Sequence, residues 1–152
     1  MKILMVCLGN ICRSPMAEGI MKKLIAQHQL DWQVASAGTN RYHSGEPPHP
    51  FSQKVCKTHG IDISKQRARD FVKEDALEYD LILAMASDVQ QDIEQIIKPL
   101  KQYNAQIKLL LDYLPEQADK NVPDPWYGTE IGYTPVFKLI ESACKALVLA
   151  YK

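Results

Sequence analysis

An α/β fold is predicted, a three-layer sandwich in which helices flank a four-stranded parallel sheet. Two observations predict it. Short continuous apolar runs, the mark of strands buried on both faces, alternate with segments of helical periodicity. Helix-length segments separate successive runs, so the strands are joined by right-handed crossovers and not by hairpins. The 152 residues fit a single domain, 1–152, long enough to bury a core without disulfide or metal staples.

Lys2 to Leu8 is the first strand. Ser14 is a strong helix N-cap and Pro15 suits the first helical position, so a helix is expected over Pro15 to Gln27. Trp32 to Ala37 makes the second strand. Gly38 to Pro50, with Gly45, Pro47 and Pro48, is a loop, and Phe51 to His59 is a helix that stops at Gly60. Leu81 to Met85 is the third strand, Ser87 to Ile97 a helix closed by Pro99, Ile107 to Leu111 the fourth strand, and Pro135 to Tyr151 the last helix.

Composition narrows the function. Lys plus Arg total 18 and Asp plus Glu total 18, a balance that gives nucleic acid or an anionic membrane no electrostatic hold. The apolar run Ile3 to Leu8 is too short for a signal peptide or membrane span, which points to the cytoplasm. Cys7, Cys12, Cys56 and Cys144 then read as reduced thiols, with no CxxC pair. His28, His43, His49 and His59 form no ligand pattern; they read as solvated surface residues, and neither a metal nor another cofactor is expected. A monomer is expected.

Ligands of parallel α/β sheets bind where strands lead into helices, so the segment after the first strand carries the site. Leu8, Gly9, Asn10, Ile11, Cys12 and Arg13 must wrap from the strand to a helix opened by Ser14, and Gly9 and Asn10 are the residues there that tolerate positive φ. Amides curled in this way, at a helix N-terminus, form an anion nest. Cys7 lies on one side of it and Arg13 on the other. A phosphate would be held by the amides and a bidentate guanidinium, with the sulfur beneath for in-line attack. The positive field would favour nucleophilic attack by the Cys7 sulfur, and a Ser14 hydroxyl could steady it. The plainer alternative makes Cys7 a small buried hydrophobe at a strand end and Arg13 a surface residue.

Cys7-Leu8-Gly9-Asn10-Ile11-Cys12-Arg13-Ser14-Pro15 resembles the signature of the low-molecular-weight protein tyrosine phosphatases. The likeness runs through Ser36-Ala37-Gly38-Thr39, His59-Gly60-Ile61, Arg67-Ala68-Arg69, Ile82-Leu83-Ala84-Met85 and Asp124-Pro125-Trp126-Tyr127-Gly128, in the family's order. It implies a Rossmann-like phosphatase fold and hydrolysis of phosphotyrosine in proteins. Asp124 is by that resemblance the general acid, although Asp-Pro by itself can simply start a turn. Trp126, Tyr127 and Tyr42 then read as aromatic walls for the substrate ring, and Cys12 as a thiol able to form a disulfide with Cys7 after peroxide oxidation.

The chain departs from the family's pattern at two places. Gln66 stands where the family commonly has a histidine that joins Asn10, Ser14 and Ser36 in bracing the phosphate loop. Met85-Ala86-Ser87-Asp88-Val89 lacks the polar pair of the family's Met-Asp-x-x-Asn, so altered support behind the loop is expected. Three other readings stay open. A phosphoarginine phosphatase of the same fold has threonine at the position of Ile11, an arsenate reductase needs further cysteines as a relay, and a phosphopeptide-binding module needs neither Cys7 nor Asp124.

Overall fold

The computed structural model describes Met1–Lys152. Strands β1 (Lys2–Cys7), β2 (Gln33–Gly38), β3 (Leu81–Ala84) and β4 (Gln106–Leu109) pair in parallel in the order β2-β1-β3-β4. The helices are α1 (Arg13–Gln27), α2 (Pro50–Thr58), α3 (Asp75–Glu78), α4 (Ser87–Ile97) and α5 (Tyr133–Tyr151). The expected three layers are present.

β1 explains its own composition. Ile3, Met5 and Cys7 pack into the larger core with α1 and α5, while Leu4 and Val6 pack into the core under α4 with Val89, Ile93 and Ile97. A strand covered on both faces must be apolar at every position. Its central place puts the end of β1, at Cys7, beside Gly38 of β2 and next to the loop that leaves β3.

Several boundaries differ from expectation for identifiable reasons. The first helix begins at Arg13, with Cys12 at the cap position and no side-chain cap. Ser14 is therefore inside the helix; its hydroxyl is engaged with Cys7 and Asn10 instead of a backbone amide. Trp32 lies outside β2 and packs against the larger core. β4 ends at Leu109, and Leu110 and Leu111 enter a 3-10 turn, Leu110–Tyr113, that buries both under α5. α2 and α5 each start slightly earlier, at Pro50 and Tyr133, while α4 has the expected bounds. The short α3 was not expected; Asp75 holds it by accepting from Val72 N (2.9 Å) and pairing with Arg69. No helix is long and apolar enough to cross a membrane.

Candidate active site

Leu8 to Cys12 form a curled loop fastened from outside by its carbonyls. Thr39 N donates to Cys7 O (3.1 Å), Asn40 N to Leu8 O (2.9 Å), His49 N to Ile11 O (2.8 Å) and Ser52 Oγ to Cys12 O (3.3 Å). The amides of Gly9, Ile11 and Cys12 make no backbone hydrogen bond, an arrangement suited to an anion at the N-terminus of α1. Asn10 alone takes the left-handed conformation, with φ 58°. Gly9 does not; a Cβ there would lie 3.0 Å from the edge of the His43 ring, a contact that requires that ring to shift.

The sulfur of Cys7 sits on this floor. Asn10 N donates to it (3.2 Å), and the Ser14 hydroxyl lies 3.0 Å away. Behind it runs a buried polar network: Asn10 Nδ2 donates to Ser14 Oγ (2.8 Å) and Ser36 Oγ (3.0 Å), Asn10 Oδ1 accepts from Arg69 N (3.0 Å), and Ser36 Oγ donates to Glu18 Oε1 (2.7 Å). Gln66 is not part of it. Its Nε2 donates to Pro15 O (3.2 Å), and its buried Oε1 has no partner. The expected place of Gln66 is filled by Glu18, whose carboxylate is buried and steadied by Lys22 Nζ at 2.6 Å. Glu18 gave no signal in sequence, because a glutamate in a helix with a lysine four residues on usually lies in solvent.

Arg13 is only 4% exposed. Its Nη1 donates to Val122 O (3.0 Å) and its Nη2 lies 3.5 Å from Asp124 Oδ2. The plainer reading of Arg13 as a surface residue is thus overturned. Asp124 does start a turn: its Oδ1 accepts from Trp126 N (3.1 Å) at the head of a 3-10 turn, Pro125–Tyr127. Its other oxygen is what faces Arg13. The preceding chain is hung on the sheet, since Val122 N donates to Met85 O (2.8 Å) and Asn121 Oδ1 accepts from Ser87 N (2.7 Å). That second bond supplies from a neighbouring segment the cap that Ala86 cannot give α4.

Cys7, Arg13 and Asp124 line one cleft of about 110 Å³, with Leu8, Gly9, Ile11 and Cys12 below and Tyr42, Trp126 and Tyr127 around the mouth. Tyr42 and Tyr127 are exposed and Trp126 is half-exposed, so none is a core residue. Asn40 and His43 line the same cleft and were not singled out from sequence. The reading of the histidines as solvated fails for three of four. His43 packs on Trp126 (centroids 5.4 Å) and bonds Glu46, His49 caps α2, and His59 stacks on Phe137 at 4.2 Å. Cys12 is buried, its Sγ 3.6 Å from the Tyr133 hydroxyl, and burial raises its thiol to about 11. Cys56 and Cys144 are wholly buried in the core; burial raises Cys56 to about 12 and Cys144 further.

Comparison with known proteins gives one family. Its description is "Low molecular weight phosphotyrosine protein phosphatase", and it matches residues 2–152. A human protein of that name is 37% identical over 148 residues, 96% of this chain and 92% of its own. A Bacillus subtilis crystal structure, YfkJ, is 34% identical with a TM-score of 0.90, over 99% of this chain and 93% of that one. The crystal structure of a Drosophila arginine phosphatase is 31% identical with a TM-score of 0.95, over 100% and 98% of the two chains.

Proposed function

The chain belongs to the low molecular weight phosphotyrosine protein phosphatase family, and from that premise we propose that it hydrolyses phosphotyrosine in proteins through a cysteinyl phosphate on Cys7. The observation that carries this reading is the cleft itself. A sulfur with two hydrogen-bond donors or partners beneath it, and an Arg13–Asp124 pair beside it, share one small opening.

Cys7 Sγ attacks phosphorus in line, and the bond to the phenolic oxygen breaks as Asp124 gives that oxygen its proton. The amides from Leu8 to Ser14, except that of Asn10, which donates to Cys7 Sγ, and the Arg13 guanidinium hold the equatorial oxygens as charge builds on them. The Ser14 hydroxyl stabilises the thiolate as attacker and again as leaving group. Asp124, now ionised, takes a proton from water as that water attacks phosphorus, and the S–P bond breaks to restore the thiolate. Tyr42, Trp126 and Tyr127 face the ring. The same proposal makes the enzyme a cytoplasmic monomer acting on phosphoproteins, in keeping with four free cysteines and balanced charge.

The likeness to the Drosophila arginine phosphatase favours a second reading, phosphoarginine. Ile11 argues against it: it is 7% exposed and lines the cleft, so a charged guanidinium would be desolvated against an apolar wall, whereas a phenyl ring would not suffer. A thiol relay of the arsenate reductase kind finds no support either, with Cys56 and Cys144 sealed in the core. The test is kcat/KM on phosphotyrosine and phosphoarginine for the native chain, Ile11→Thr and Cys7→Ser. Phosphotyrosine should be preferred, Ile11→Thr should raise the phosphoarginine share, and Cys7→Ser should be inactive yet bind vanadate. Turnover by Cys7→Ser would remove the nucleophile from this scheme.

A further inference from the structure

His49 does not line the cleft, yet it touches both segments that carry the chemistry. Its backbone amide donates to Ile11 O (2.8 Å), tying it to the loop that follows Cys7. Its ring meets Trp126 edge-on, centroids 5.4 Å apart at 86°, two residues beyond Asp124. The same ring stacks on Tyr133 at 5.4 Å and 25°, where the acid-bearing segment enters α5. One imidazole thus holds that segment near both of its ends.

The ring is itself held in place. Phe51 N donates to Nδ1 (3.0 Å), which caps α2 and puts the ring proton on Nε2. Burial lowers the His49 pKa and so favours this neutral form. Phe51 packs against both His49 (5.1 Å) and Tyr133 (5.5 Å). α2 is fastened to the phosphate loop by Ser52 Oγ on Cys12 O (3.3 Å), and Lys54 reaches Glu130 of the acid-bearing segment at 2.6 Å. An Asn at this position could cap α2 but has no ring, and a Phe has a ring but no acceptor. Histidine does both.

We propose that His49 is a positioning residue that sets Asp124 against Cys7, by clamping Trp126 and Tyr133 to the phosphate loop. It rests on the reading of Asp124 as the general acid. A loosened clamp leaves Cys7, Arg13 and the loop amides in place and displaces the proton donor. The loss then grows with the need of the leaving group for a proton, because small misplacements of a catalytic group cost rate steeply.

The experiment is kcat/KM across aryl phosphates of graded phenol acidity, for the native enzyme, His49→Asn, His49→Phe and Asp124→Ala. Asp124→Ala marks the slope of an enzyme without its acid. His49→Asn keeps the cap and loses the ring; it should steepen the slope toward that limit, losing ~10-fold on phosphotyrosine and less than about twofold on the most acidic phenol. His49→Phe keeps the ring and loses the cap; it should hold the native slope with a lowered Tm. A native slope in His49→Asn, an equal loss on every substrate, or a steepened slope in His49→Phe would each overturn the proposal. An unchanged slope in Asp124→Ala would instead overturn the acid and the clamp together.

Discussion

Cys12 shares its cleft with Cys7 and keeps its proton at neutral pH, because burial outweighs the hydrogen bond from Tyr133 and raises the thiol to about 11. If Cys12 is the resolving thiol, the Cys7 sulfur takes one oxygen from peroxide as the O–O bond breaks and the other oxygen leaves as water, giving a sulfenic acid; the Cys12 thiolate then attacks that sulfur, the S–S bond forms, and the S–O bond breaks to expel hydroxide, which is protonated to water. Since only the thiolate attacks, closure should quicken ~10-fold per pH unit until about pH 11. Dithiothreitol should restore the peroxide-treated native chain, whereas Cys12→Ser should stay largely inactive. Equal recovery of the two would remove Cys12 as the resolving thiol. At this scale the sequence was legible where residues are neighbours in the chain: Cys7, Asn10, Arg13 and Ser14 fall in one short stretch, from the end of β1 to the first turn of α1. His43, His49 and Glu18 were not, since the contacts that bring them to the site, Trp126 for the two histidines and Ser36 for the glutamate, come from distant segments, and each taken alone resembles a surface residue.

Among the elements, α1 shows how a local rule yields to a tertiary one. Ser14 followed by Pro15 is a sound N-terminal signal, yet the helix starts at Arg13 because the Ser14 hydroxyl is committed to Cys7 and Asn10. The α1 face also supplies Glu18 to Ser36 of β2, so helix and strand brace the loop between them. Ser36→Ala should cost about 1–3 kcal/mol, because it removes the partner of Glu18 Oε1 and one of the two acceptors of the Asn10 side-chain amide, leaving Glu18 with Lys22 alone and Asn10 Nδ2 with Ser14 alone. Gln66→Met should change stability by less than about 1 kcal/mol, since it trades one hydrogen bond for the removal of a buried oxygen that has no partner. Chemical denaturation of both variants checks the contrast; equal losses would mean that Gln66 does support the loop. Apolar runs located all four strands, and Pro99 marked the end of α4, but α3 is too short to show a period.

Over the whole molecule, alternation of strands and helices foretold a parallel sheet, whereas the order β2-β1-β3-β4 was not legible, because right-handed crossovers permit several orders. That order has a kinetic consequence. β1 can be completed only when β2 and β3 have both arrived, and Arg13 meets Val122 across a separation of 109 residues. Contacts of such separation form late, after the entropy of closing long loops has been met. During refolding the ellipticity contributed by α1 and α5 should therefore recover first, and turnover of an aryl phosphate should lag behind it. Superimposable traces from the two probes would refute this order. Synthesis imposes the same sequence of events: a growing chain acquires its thiol and its arginine before Asp124 has been made. On the proposed mechanism the proton donor is thus the last of the three groups to be synthesised, and turnover has to wait for the segment that carries Val122 and Asp124.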